Sequence, residues 1–529
     1  MIKKTILWSL LFFCGLAATG QTSTKKEIPF LKDENWWGAF VAQGSQMPYL
    51  KPTNEFNLET QNFNNQGVPF FVSDKGRYIW SDEPFRFRIT DNAIEIKSET
   101  QNIEVTKAGT TLREAYLAAC HKHFPPTGTL PDSLLFSMPQ YNTWIELMYN
   151  QNQKDILNYA DNILKNGFPA GVLMVDDNWQ KYYGNFEFKP DKFPDAKGMI
   201  DRLHAKGFKI MVWVCPFVSP DSPEFRELQS KGYLMKRKDS GAPALFYWWN
   251  GYSACYDLTN PAAFDHYVAK LKEAQERYGI DGFKFDAGDV MYYAPVAFDS
   301  YVKGAKTVDH CQKWAEIGLQ FPFNEYRACW KMGGQPLVQR LGDKNYSWRA
   351  VSLLIPDMVA AGLLGYAYTC PDMVGGGQFA AFLNVKKFDE PLIVRSAQTH
   401  ALMPMMQFSV APWRILSPEN NKICADMARL HAKKGAYILA CARQSAKTGE
   451  PIIRHMEYMF PGQGFALCKD QFMLGDKYLV APIVTPENTR QVKLPKGKWR
   501  DDLGKIWSGG KVITVTAGLE RLPYFEKIR

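Results

Sequence analysis

A chain of 529 residues is too long for one ordinary domain, so two to four are expected. Its 46% hydrophobic and 22% charged residues are the balance of a packed globular protein, which excludes a disordered chain, and its 14% aromatics supply rings for core packing or for stacking on sugar faces. The formal charge of +9 is spread along the chain, with no Lys/Arg block and no basic stripe interleaved with aromatics, which speaks against a nucleic-acid partner.

The first segment reads as a targeting signal. Lys3 and Lys4 precede an apolar run from Ile6 to Ala18, and Ala18-Thr19-Gly20 offers small residues for cleavage. The run is short for a bilayer span. Residues 1–20 are therefore expected to be a signal peptide, with an exported, periplasmic protein as the product. Cys14 offers the alternative of a lipid anchor at the cell surface, although Phe12-Phe13 before it are bulky for that processing. Nine cysteines remain, from Cys120 to Cys468; none forms a Cys-x-x-Cys pair and several lie in apolar context. Mostly buried free thiols follow, with one surface disulfide as an alternative. No His cluster accompanies them, so no metal site is expected.

Residues 21–130 carry strand signals. Val68-Pro69-Phe70-Phe71-Val72 and Tyr78-Ile79-Trp80 flank the turn Ser73-Asp74-Lys75-Gly76, and Phe85–Ile89 and Ala93–Ile96 alternate apolar and polar around Asp91-Asn92. Hairpins in series predict a β-sandwich. Residues 131–435 change period. A helix over Asp155–Asn166 stops at Gly167 and yields the strand Val172–Val175. A helix with Met199, Ile200 and Leu203 stops at Gly207 and yields Ile210–Val214. A third, with Phe264, Val268, Leu271 and Ala274, stops at Gly279 and yields the strand running into Asp286. Helix, glycine, short apolar strand and loop, repeated over about 300 residues, predict an α/β fold with a (β/α)8 barrel. The apolar run Ala350–Tyr366, broken by Pro356-Asp357, reads as a core helix rather than a membrane span. Residues 436–529 return to strand period. Tyr478–Val484, Gln491–Leu494 and Lys511–Val515 are read as strands and Pro495–Trp499 as a turn, giving a C-terminal β-domain.

Barrel chemistry gathers at strand C-termini. Those ends here read Val175-Asp176-Asp177-Asn178-Trp179, Phe285-Asp286 and Tyr368-Thr369-Cys370-Pro371-Asp372. Asp286 closes an apolar strand, whereas Asp343 lies in a Gly-containing loop beside Arg340 and Trp348. Two carboxylates in unlike surroundings are what glycoside hydrolysis requires: one stays ionised while the other holds a proton near neutral pH.

The order of these motifs resembles glycoside hydrolase family 31, the retaining exo-acting α-glycosidases, over most of residues 140–525. The resemblance implies that Asp286 is the nucleophile and that Asp343, in Gly342-Asp343-Lys344-Asn345-Tyr346-Ser347-Trp348, is the acid/base. It implies that Asp176 holds the far hydroxyls of the sugar and that Arg327 and Asp372 line its pocket. Glu390, Arg395, Gln398 and Pro404 match a family helix and strand. Leu479-Val480-Ala481-Pro482 and Leu494–Trp499 match the C-terminal signature. Asp177, Trp179, Trp249 and Arg340 complete the candidate sugar-binding set.

Three departures narrow the substrate. Lys284 stands where α-glucosidases of the family carry Trp, Arg340 where many carry Trp, and Ser409 falls near their sugar-binding His. Asp176-Asp177-Asn178-Trp179 with Lys284-Phe285-Asp286 is similar to the Asp-Asp-x-Trp and Lys-x-Asp pairing of related α-galactosidase families. A Lys donor beside two carboxylate acceptors suits an axial hydroxyl. The expectation is an α-galactosidase acting by double displacement on a terminal α-linked sugar, without metal or organic cofactor. An α-glucosidase or α-xylosidase, a transglycosylase, and an inactive carbohydrate-binding protein are the alternatives.

Overall fold

A computed structural model describes residues 24–100 and 102–528. The leader expected at residues 1–20, Cys14 included, lies outside the described residues.

The N-terminal part packs two antiparallel sheets. One runs in the order Thr24–Pro29, Ala93–Ser98, Arg86–Ile89, Phe56–Asn57; the other pairs Gln66–Ser73 with Trp36–Phe40 and Arg77–Trp80, and Arg77–Trp80 with Glu104–Lys107. Both expected hairpins form. Gly76 closes the first at φ +76°, and a Cβ there would meet the Gly109 carbonyl oxygen at 2.1 Å, so only glycine fits. Reading this region as strands alone missed the helix Leu112–His123. Its signal is local: Thr111 accepts from the Glu114 N–H, and the Glu114 carboxylate reaches back to Thr111.

The middle part is the barrel. Its strands are β1 Gln140–Asn142, β2 Val172–Val175, β3 Lys209–Val214, β4 Gly282–Phe285, β5 Phe323–Tyr326, β6 Gln339–Arg340, β7 Thr369–Cys370 and β8 Gln407–Phe408. All neighbours pair in parallel and in chain order, β8 returns to β1, and a parallel bridge from Met373 to Gln407 nearly completes the ring. The three predicted helices form at Gln153–Lys165, Ala196–Ala205 and Pro261–Tyr278. The last ends as expected at Gly279, in the left-handed conformation with its N–H on the Gln275 carbonyl. The apolar run is the buried helix Trp348–Leu363 with Pro356 inside it. No helix among the described residues is long and apolar enough to cross a membrane.

The C-terminal part holds a six-stranded antiparallel sheet in the order Ile453–Arg454, Phe472–Leu474, Tyr478–Val480, Tyr524–Lys527, Lys498–Asp501, Ile506–Ser508, plus the pair Thr489–Leu494 with Lys511–Thr516. Three details differ from expectation. The strand expected to reach Val484 stops at Val480, two residues before Pro482, which has no N–H for a ladder. The expected turn Pro495–Trp499 is a turn only in its first half; Lys498–Asp501 is a strand, and Trp499 is buried with Nε1 donating to the Pro495 carbonyl at 2.9 Å. The helix Pro418–Thr448 runs straight through the boundary placed at residue 435. The nine cysteines from Cys120 to Cys468 are unpaired, and all but Cys468 are buried.

Candidate active site

Strand alternation builds the floor. In β4, Phe283 and Phe285 face outward, Phe283 against Phe321 and Phe285 stacked on Tyr326. Lys284 and the following Asp286 therefore share the inner side. The same two-residue step puts Glu325 and Arg327 inward from β5, and Asp176 inward after β2. Asp343 follows β6. Together Asp176, Asp177, Lys284, Asp286, Arg327, Arg340 and Asp343 line one cavity of about 490 Å³ at the strand ends. Its walls are aromatic: Trp144, Tyr149, Trp249, Tyr292 and Phe379 from barrel loops, with Phe63 from the N-terminal sandwich. A second cavity, about 200 Å³, lies between the helices Pro223–Lys231 and Pro261–Tyr278. Its acids are engaged locally, Glu187 with Arg277 and Lys181, Glu224 with Asn185, Glu227 with Lys231.

Asp286 is buried. Its Oδ2 accepts from Trp213 Nε1 at 2.8 Å, its Oδ1 from the Ala287 N–H at 2.9 Å, and Arg327 Nε lies 3.4 Å from Oδ1. Burial opposes its ionisation, but the charges of Arg327, Lys284 and Arg340 and the Trp213 hydrogen bond outweigh burial and hold the carboxyl far below its usual range. Arg327 is itself fixed by an ion pair to Asp289 and by the Trp249 ring, 4.7 Å from its guanidinium.

Asp343 has a side chain 32% exposed, and its Oδ1 accepts from Arg340 Nη1 at 2.7 Å. Arg340 also donates to Asp372 Oδ1 at 2.8 Å and lies 3.4 Å from Glu325. Burial raises the Asp343 carboxyl, yet Arg340 and Arg327 lower it more, so it ends below the ordinary value. This corrects the expectation that it holds a proton near neutral pH: in the open cavity the adjacent guanidinium stabilises the anion.

Lys284 Nζ lies 2.6 Å from Asp176 Oδ2, both side chains almost fully buried. Burial is the largest influence and works against the ammonium, but the charges of Asp176, Asp286 and Glu325 together outweigh it and the Lys284 pKa is raised. Asp177 turns its carboxylate to Asn250 Nδ2 at 2.9 Å and to the Tyr183 hydroxyl at 3.2 Å.

Two candidates, Trp179 and Asp372, fall away from the cavity, and so does Ser409, one of the three departures. Trp179 is fully buried, because Asn178 at φ +77° turns the chain back; its ring packs on Phe188 and its Nε1 donates to the Trp213 carbonyl at 2.7 Å. Asp372 is fully buried behind Arg340, and its Oδ2 accepts the Lys344 and Gly377 N–H groups at 2.7 and 2.9 Å. Burial pushes it up to about 6 against the pull of Arg340. Ser409 is buried and accepts the Ile145 N–H at 2.8 Å. Arg395 and Gln398 reach the carbonyls of Ala517 and Leu519 and so tie the helix Glu390–Ala401 to the C-terminal part.

Sequence reasoning missed Trp213, Asp289, Tyr183, Asn250 and Asn65. Asn65 Nδ2 donates to the carbonyls of Arg327 and Arg340, both at 3.1 Å, and thus props two site residues from another domain. Only Asn250 had a local signal, the Asn-Gly turn dipeptide; the others are fixed by tertiary packing.

Residues 135–433 match the model described as the glycosyl hydrolases family 31 TIM-barrel domain, and residues 449–528 match the family 31 C-terminal domain. The chain is 32% identical over 417 residues to the myogenesis-regulating glycosidase of Mus musculus, covering 76% of this chain and 58% of that one. It is 25% identical over 528 residues to an alpha-xylosidase of Emericella nidulans, covering 92% and 64%. The chain thus spans about three fifths of the length of these relatives. The Flavobacterium johnsoniae family 31 dextranase in complex with glucose superposes with a TM-score of 0.83 at 19% identity, over 96% of this chain and 66% of that one. An alpha-xylosidase from a soil metagenome gives 0.82 at 20%, over 96% and 79%. At these identities the structural likeness bears on the fold alone.

Proposed function

The chain belongs to glycoside hydrolase family 31, and on that footing we propose that it is a retaining, exo-acting α-glycoside hydrolase. The observation that carries the reading is Asp286, a carboxylate held ionised by Arg327 and Trp213 on the wall of a cavity that Asp343 also lines. Asp286 attacks the anomeric carbon and forms a β-glycosyl ester, while Asp343 protonates the leaving oxygen and then takes a proton from the incoming water. A sugar that covers the exposed part of Asp343 strips its water and raises its pKa, favouring the acid form. Esterification then removes the Asp286 charge, one of the influences raising Asp343, so Asp343 falls again and suits the base role.

Within this class the preferred substrate is a terminal α-linked galactoside. The support is the buried Lys284–Asp176 pair with Asp177 beside it, which offers one donor and two acceptors to an axial hydroxyl. Relatives named alpha-xylosidase and alpha-glucosidase favour a second reading, a xyloside or glucoside. Initial rates on aryl α-galactoside, α-glucoside, α-xyloside and α-fucoside separate the two. Unpaired buried groups with the wrong epimer cost about 2–5 kcal/mol, so galactoside should lead glucoside by roughly 30- to several-thousand-fold in kcat/KM. Faster cleavage of glucoside or xyloside overturns the galactose reading and leaves the retaining mechanism intact. No hydrolysis or transfer with any of the four points to a carbohydrate-binding protein. Product analysis with an added sugar acceptor tests transglycosylation. The segment Lys3–Gly20 supports export to the periplasm, which cell fractionation checks.

A further inference from the structure

The hairpin inserted after β3 pairs Phe246–Trp248 with Gly251–Cys255, and Trp248 opposes Gly251, so its tip is the dipeptide Trp249-Asn250. Gly251 leaves the turn at φ +91°, a conformation side-chain residues rarely adopt. Trp248 anchors the hairpin, its ring stacked 6.4 Å from Trp213 and its Nε1 donating to Ser253 Oγ at 3.0 Å. The two tip residues then reach two different residues that line the cavity, Arg327 and Asp177. Trp249 packs on the guanidinium of Arg327, next to Asp286. Asn250 donates from Nδ2 to Asp177 Oδ2 at 2.9 Å and to the Tyr183 hydroxyl at 2.7 Å, while its Oδ1 accepts from the Tyr149 hydroxyl at 3.0 Å.

We propose that this hairpin tip is a strap that sets the sugar pocket, with Asn250 the positioning residue that holds the Asp177 carboxylate in place for the substrate. The inference rests on reading the cavity as a glycosidase site. Asp176 has an ammonium partner in Lys284, but the side chains bonded to Asp177 are neutral: Asn250 and Tyr183. The titratable groups facing Asp177 are Asp176 and Asp286 at strand ends, Tyr149 and Tyr183 in loops, Cys215 after β3, and Lys189. Burial, reinforced by the Asp176 charge, pushes Asp177 up to about 7, and the Asn250 and Tyr183 hydrogen bonds restrain the rise. An ionised Asp177 accepts hydrogen bonds from two sugar hydroxyls, a protonated one from fewer. Affinity is therefore present above that value and lost as pH falls through it.

The test uses Asn250→Ala and Tyr149→Phe in the full chain, with the aryl α-glycoside the wild type cleaves fastest. Loss of a hydrogen bond to a charged group moves the acidic limb of kcat/KM upward by about one pH unit in Asn250→Ala, with a raised KM and a kcat at high pH within about three-fold of wild type. Tyr149→Phe keeps the ring in the cavity wall but removes the hydroxyl that anchors Asn250, and gives a smaller shift of the same sign. A second measurement needs no substrate. In infrared difference spectra the protonated-carboxyl band that Asp177→Asn abolishes should titrate near neutrality in the wild type and at higher pH in Asn250→Ala. A failure of all four aryl glycosides overturns the glycosidase reading, and the infrared titration still decides the strap. Coincident titrations of that band in wild type and Asn250→Ala overturn the strap.

Discussion

Lys284→Met removes the ammonium from a buried ion pair on the cavity floor. Lys284 Nζ and Asp176 Oδ2 are 2.6 Å apart, with side chains 4% and 3% exposed. Breaking a buried pair by deleting one partner costs about 3–5 kcal/mol, because the other charge is left without compensation. Were all of that expressed in the transition state, at about 1.4 kcal/mol per decade, kcat/KM would fall roughly 100- to 5,000-fold. The methionine also withdraws a positive charge that helps hold Asp286 ionised, second only to Arg327 among its cations, which weakens the nucleophile at low pH. The assay is kcat/KM on aryl α-galactoside and α-glucoside for Lys284→Met, Asp176→Asn and the double variant. The galactoside should suffer most, the preference should shrink, and the double variant should be far better than the sum of the singles, since each single already breaks the pair. A loss below about five-fold, or strictly additive effects, would refute a floor organised around this pair.

Four further outcomes follow. Asp286→Ala should abolish turnover, whereas Asp343→Ala should retain the first step for good leaving groups and be rescued by azide to an α-glycosyl azide; rescue of both to the same anomer contradicts the roles. Arg340→Met should raise the Asp343 pKa, so the basic limb of kcat/KM for poor leaving groups moves to higher pH, the direction opposite to an Arg340 that merely binds sugar. Asn65→Ala leaves the Arg327 and Arg340 carbonyls with one donor fewer and should lower unfolding free energy by about 1–3 kcal/mol, read by denaturant titration. Asp286 and Asp343 have depressed folded values, so their contribution to stability is present above the unfolded carboxyl pKa near 4 and fades as pH falls through the folded ones; Asp286→Asn should flatten that acid branch of an unfolding-versus-pH curve.

The barrel was legible because its grammar is local. A glycine after each helix and an apolar run after each glycine announce β2, β3 and β4, and the residue after a strand end has its direction set by alternation, as at Asp286. Trp179 misled because a motif read along the chain carries no φ angle: the left-handed turn at Asn178 sends its ring into the core. The protonation of Asp343 was misjudged for a related reason. A loop beside an arginine was visible, but the 2.7 Å contact that makes Arg340 its counter-ion is a fact of packing between β6 and β7. Asn250 and Asn65 are 73 and 262 residues from partners they hold in place, Asp177 and Arg327, beyond the reach of any periodicity.

The parallel pairing of Gln66–Gly67 with Cys329–Trp330 has an evolutionary consequence. The N-terminal sandwich supplies Phe63 and Asn64 to the cavity wall and Asn65 and Gln66 to the carbonyls beneath Arg327 and Arg340. A recombination that exchanged the sandwich would deliver a barrel with a breached wall and unsatisfied carbonyls under two of its cations. Barrel and sandwich are therefore expected to be inherited together, with substitutions at residues 62–67 answering to selection on the reaction as well as on stability.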